Sequence, residues 1–184
     1  MDVLSLLDRA YAETIDVAAK LRPEDLDRPT PCTEWTVRDL LNHFLWTATR
    51  LSEATVGKSG PAAGEDLVGN DAPLAVASRL RAAQELWHRP GALEVTCSLP
   101  IGELPGSMAA TISLVDTYTH RWDLARAVGG DTELDPELAE ACLTFTQAFV
   151  TDALRAQVGF HPPVEPPAGA TAGQRLVSFL GRRV

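Results

Sequence analysis

Apolar positions in the first part of the chain recur every three or four residues. Leu4, Leu7, Tyr11, Ile15, Ala18 and Leu21 share one helical face, and Pro23 stops that helix after Arg22. The segment Pro23 to Trp35, rich in Pro, Asp and Thr, reads as a connector with one short turn at Glu24 to Leu26. Thr36-Val37-Arg38-Asp39 then has the capping-box pattern, a hydroxyl for the first unpaired amides and a carboxylate in the positive first turn. A second helix starts there, with Leu40, His43, Thr47 and Arg50 along one face and Leu41, Phe44, Leu45 and Leu51 flanking it. Gly57 to Asp71 reads as a long flexible loop. Asp71 caps a third helix, which carries Ala77, Leu80, Gln84 and Trp87 on one side and ends at Pro90-Gly91.

The second half begins with the one stretch of strand character, Leu93 to Ile101. Turn signals at Gly102 and Pro105-Gly106 make it a short strand or hairpin, near residues 93 to 104, across the mouth of a bundle. A fourth helix runs from Ser107 to Val128 and closes on Gly129-Gly130. Asp135-Pro136-Glu137 opens a fifth, with Leu138, Cys142, Phe145, Phe149 and Ala153 at helical spacing. After Gly159 the run Phe160 to Ala170 is extended and proline-rich, and a last short helix spans Gln174 to Leu180. The fold class is all-α: a four-helix core with one or two extra C-terminal helices, no internal repeat and a single domain over residues 1–184.

Composition narrows the function. In 184 residues, 25 acidic side chains face 16 basic ones, and the formal charge of -9 repels phosphate backbones and anionic membrane surfaces. Nucleic acid and membrane are therefore excluded as partners. No apolar run approaches a membrane span, and the N-terminal residues lack a basic segment followed by an apolar one, so a soluble cytoplasmic protein is expected, as a monomer or small oligomer such as a homodimer. Cys32, Cys97 and Cys142 are odd in number and far apart, the pattern of reduced thiols. Gly57-Lys58-Ser59 is no phosphate loop, because Ser52 stands where that motif needs glycine and a helix, not a strand, precedes it.

The candidate chemistry lies on the fourth helix. Asp116, His120 and Asp123 stand at i, i+4 and i+7 and so stack on one face. Leu114, Val115, Trp122, Leu124 and Ala125 around them are mostly apolar; buried carboxylates and imidazoles need a partner, and a divalent cation is one. A His and an Asp one turn apart are by themselves an ordinary helical pair, and His43 alone is an ordinary core histidine. Taken together, His43, Asp116 and His120 form a ligand set. Cys32 precedes the second helix, whose N-terminus lowers a thiol pKa, but with no base spaced beside it Cys32 reads as a packed structural thiol. His88 falls at a frayed, exposed helix end and His161 has no spaced partner.

Three segments carry a resemblance: PTPCTEWTVRDLLNH (Pro29 to His43), DTYTHRWDLARAVG (Asp116 to Gly129) and RLVSFLGR (Arg175 to Arg182). The chain resembles the actinobacterial metal-binding proteins related to the N-terminal domain of mycothiol-dependent maleylpyruvate isomerase, within the DinB-like superfamily of four-helix bundles. The resemblance implies a divalent metal, typically zinc or nickel with iron as another first-row choice, held by His43, Asp116 and His120. Asp116 stands where the isomerase is expected to use Glu, and Asp123 is either the alternative ligand or the acceptor that orients an imidazole. It further implies mycothiol or a related thiol as cofactor. The likeness ends at the short C-terminal helix, with no further domain expected, whereas the isomerase has an additional C-terminal domain that contributes to its activity.

Three readings follow. The first is a metal-dependent, thiol-using transferase, isomerase or hydrolase, in which three protein ligands leave a position open and Arg38, Arg50, Arg121 or Arg126 holds an anionic substrate. A non-catalytic protein that binds or senses a metal or small molecule is the second, with Cys32 or Asp123 closing the metal as a fourth ligand. In the third, the bundle is metal-free and its His and Asp side chains only hydrogen-bond each other.

Overall fold

The computed structural model describes residues 2–99, 102–158 and 160–184. The chain is mostly helical, in the order α1 (Val3–Ala18), α2 (Val37–Ala54), α3 (Ala72–Trp87), β1 (Thr96–Leu99), β2 (Gly102–Pro105), α4 (Gly106–Val128), α5 (Pro136–Phe149), α6 (Asp152–Val158) and α7 (Ala172–Phe179). Its contacts group into two compact units, Met1–Gly130 and Asp131–Val184.

In the first unit α1 packs on α3 and α4, and α2 packs on the same two helices. The periodic apolar residues explain this helical bundle: Leu7, Tyr11, Leu40, Leu41, Phe44, Leu45, Leu80 and Trp87 are all but fully buried, and each large apolar side chain removed from water contributes about 1.5–3 kcal/mol. The core also has a polar seam. Tyr11 Oη and Ser113 Oγ lie 2.8 Å apart, and Trp87 Nε1–H donates to Tyr11 Oη at 3.3 Å. Burial pushes the Tyr11 phenol up to about 12, so it stays neutral.

Local signals set the ends of the elements. Asp2, Thr36 and Asp71 cap α1, α2 and α3 with their side-chain oxygens, and Thr36 and Asp39 complete the expected capping box. The short turn after α1 is a 3-10 turn over Pro23–Asp25. β1 and β2 pair antiparallel with Thr96 opposite Pro105 and Leu99 opposite Gly102, with Cys97 and Leu99 turned inward. The end of the expected strand, Pro100 and Ile101, lies outside the described residues.

The Gly57–Asp71 segment differs from its reading as a flexible loop. Arg38, Asn42, Trp46 and Arg50, each four residues from the last, form a polar row along α2 that binds it. The Arg38 guanidinium donates to Asp66 and to the Gly69 carbonyl. Asn42 Oδ1 accepts from the Leu67 and Val68 amides, Trp46 Nε1–H donates to the Pro61 carbonyl, and Arg50 donates to the Ser59 carbonyl. Gly60, at φ 72°, lets the backbone close on Arg50: a Cβ there would sit 2.8 Å from Arg50 Cα. The segment is a strap running antiparallel to the helix.

In the second unit α5 packs on α7. Asp135 caps α5 through the Glu137 and Leu138 amides, as its sequence predicts. The helix stops at Phe149 instead of continuing through Ala153, because Thr151 Oγ1 accepts from the Leu154 amide and starts α6 anew. α7 begins at Ala172, two residues before the expected Gln174, on a capping box made by Thr171 and Gln174.

Candidate metal centre

α4 is buried on almost every side from Thr117 to Ala125, including the ionisable residues His120, Arg121 and Asp123. A carboxylate or imidazole in such a place must be satisfied within the protein. Asp123, fully buried, accepts from His120 Nδ1 at 2.9 Å and from the Cys32 thiol at 3.4 Å. With the Nδ1 proton given to Asp123, His120 turns its Nε2 toward Asp116, whose Oδ1 lies 3.7 Å away. From α2, His43 reaches the same oxygen with its Nε2 at 3.2 Å. The two imidazoles meet edge to face, with ring centroids 5.0 Å apart.

The sequence-derived ligand set thus converges: His43, Asp116 and His120 offer ligand atoms that all lie within 4.8 Å of one another. Two imidazoles and a carboxylate are the chemistry of a site for a divalent first-row ion, and a buried carboxylate behind one imidazole is the usual means of orienting such a ligand. Asp123 occupies that supporting position. Cys32, His120 and Asp123 form a second group within the same distance limit.

The placement of Cys32 corrects its reading as a thiol with no base beside it. The carboxylate of Asp123 is that base, accepting from the Cys32 thiol at 3.4 Å, with His120 Nδ1 3.9 Å from the same Sγ. The connector before α2 brings it there, folded back by hydrogen bonds from the Val37 amide to the Arg28 carbonyl and from the Thr30 amide to the Trp35 carbonyl. Thr30 holds the tip by accepting from the Cys32 amide. The same fold lays the Trp35 ring 4.8 Å from the His43 ring and 6.0 Å from that of His120. No spacing pattern in the sequence relates Cys32 or Trp35 to α4, so Trp35 escaped the sequence reading and Cys32 entered it only as a possible fourth ligand. Cys97 and Cys142 are buried elsewhere with thiols pushed up, Cys142 to about 12, which keeps them inert.

Three of the four candidate anion-holding arginines are engaged elsewhere. Arg121 turns toward α1, with Nε 3.8 Å from Glu13 Oε2, and Arg38 and Arg50 hold the strap. Arg126 is exposed in the last turn of α4. His88 lies at the exposed end of α3 but contacts Asp8, Nε2 to Oδ2, at 2.9 Å. Beside His43, a cleft of 680 Å³ opens between α2, the connector and the strap; Trp35 and Trp46 line it, with the Glu34, Asp39 and Glu65 carboxylates. Among the described residues no helix is long and apolar enough to cross a membrane.

Residues 7–125 match the family model described as the mycothiol maleylpyruvate isomerase N-terminal domain. Two uncharacterised proteins of Mycobacterium tuberculosis, one from strain CDC 1551 / Oshkosh and one from strain ATCC 25618 / H37Rv, are each 34% identical over 187 residues, covering 100% of both chains. No solved structure matches. With the family model covering well over half of the chain, the protein belongs to the family of the mycothiol maleylpyruvate isomerase N-terminal domain.

Proposed function

We propose that this chain is a metal-dependent, thiol-using enzyme of the transferase, isomerase or hydrolase kind, built as a DinB-like four-helix bundle and acting in the cytoplasm. The observation that carries this reading is the convergence of His43, Asp116 and His120 within 4.8 Å, with Asp123 behind His120. The bundle assignment is supported by α1 and α2 each packing on both α3 and α4. Zinc suits this donor set best, with nickel or iron as the other first-row choices. A bound divalent ion lowers the pKa of a thiol or water brought to its open position. The family description makes mycothiol the first thiol to test.

The protein's own residues have separable tasks. Asp123 fixes the His120 tautomer and ring, Asp116 draws the two imidazoles together, and Trp35 packs beside both rings. Elemental analysis of untagged protein tests the reading. Near-stoichiometric zinc, nickel or iron that is lost in both His43→Ala and His120→Ala is the expected result. Metal absent from metal-supplemented natural protein refutes it.

The grouping of Cys32 with His120 and Asp123 favours a second reading, a non-catalytic metal-binding or sensing protein with a closed, partly sulfur site. That reading requires Cys32→Ser to lose the metal. The enzymatic one requires this variant to keep it.

A further inference from the structure

The cleft beside His43 has a charge that a metal centre does not need. Three carboxylates, Glu34, Asp39 and Glu65, line it, and among the described residues lining it none is Lys or Arg. Asp39 stays ionised near neutral pH, since the Thr36 hydroxyl and amide donate to it and hold it below the ordinary value. Glu34 and Glu65 are exposed and face water. The nearby guanidiniums are engaged, Arg38 with Asp66 and Arg50 with the Ser59 carbonyl.

The aromatic lining has the same preference. Trp46 already carries one cation, the Arg50 guanidinium 5.3 Å from its ring centroid, and Trp35 and Trp46 are both half-buried, so each keeps surface open. Indole faces attract ammonium and guanidinium groups and gain nothing comparable from a carboxylate. Three carboxylates and two indoles around one concave space, with the His43 imidazole as the one basic side chain among its described lining, make a receptor for a cation.

We infer that this cleft binds the organic substrate through a positively charged group, an amine or quaternary ammonium, and discriminates against carboxylate-bearing compounds. The inference rests on the proposed function for its catalytic meaning, because the cleft reaches the ligand His43; the charge selection itself stands on the lining. It also separates this chain from chemistry on dicarboxylate substrates, which need basic side chains where this cleft has acidic ones.

The test is a tryptophan-fluorescence titration of the full chain, in zinc and after chelation, with three compounds of one shape: choline, its neutral isostere 3,3-dimethylbutan-1-ol and the anion 3,3-dimethylbutanoate. Choline is expected to saturate the signal about tenfold more tightly than the alcohol, with no saturation by the anion. In a Glu34→Gln/Glu65→Gln double variant that preference should fall toward equality, and both positions are exposed, so folding is spared. Anion or alcohol binding as tightly as choline, or no saturable response to choline, overturns the inference. The chelated arm separates the two claims: a choline preference that persists in protein unable to bind metal refutes only the metal reading, and stoichiometric metal with anion preference refutes only this one.

Discussion

The His and Asp face of α4 and the strap on α2 use the same device, polar side chains spaced three or four residues apart on one helix. They put it to opposite ends. On α4 the row Asp116, His120, Asp123 points into the bundle, where each group must be paired and where geometry is held to hydrogen-bond precision. On α2 the row Arg38, Asn42, Trp46, Arg50 points outward and ties a glycine-rich segment along the helix, building one wall of the cleft. Burial separates the two rows: helical spacing gathers His and Asp side chains where little water reaches and ties down a segment where it does.

The contrast is sharpened by breaking each row in turn. Asp123→Ala strands the buried His120 donor and the half-buried Cys32 thiol and is expected to have the largest effect, a loss of about 3 kcal/mol in chemical denaturation. Gly60→Ala forces both a left-handed alanine and a clash with Arg50 Cα, about 2 kcal/mol by the same measurement. Asn42→Ala takes the acceptor from the Leu67 amide and leaves the Val68 amide with Asp66 alone; about 1 kcal/mol should be lost, with faster amide exchange confined to residues 57–71.

Acid gives the smallest effect. Partial burial pushes the Asp66 carboxyl up, but the Asn42 amide, the Val68 and Gly69 N–H groups and the Arg38 charge outweigh it and hold the group below its ordinary 3.8. A carboxyl with a lowered folded pKa contributes stability that is complete above the unfolded value and lost as pH falls through the folded one. Amide exchange in the strap, corrected for its intrinsic pH dependence, should therefore rise relative to α4 as pH drops below 3.8, and Asp66→Asn should flatten the difference.

What could be read from the sequence follows from this same distinction. Caps at Thr36, Asp71 and Asp135, the stop at Gly129 and the i, i+4 pair on α4 depend on neighbours within one helical turn, and all appear where expected. The strap depends on pairing between segments, and the glycine content of residues 57–71 pointed to mobility, although the polar row on α2 that binds them was in plain view. Cys32 and Trp35 reach the centre only because a connector folds back on itself, with Glu34 at φ 69° in the turn. The break after Phe149 turned on one threonine able to start a new helix, a choice that helical periodicity through Ala153 does not reveal.

X-ray absorption at the metal edge of zinc-loaded protein, with no thiol added, tests the central claim most directly. The account predicts a shell of nitrogen and oxygen donors, two imidazoles among them, from His43, His120 and Asp116, and no sulfur at about 2.3 Å. A sulfur shell that disappears in Cys32→Ser, or a spectrum unchanged by His43→Ala, would contradict it.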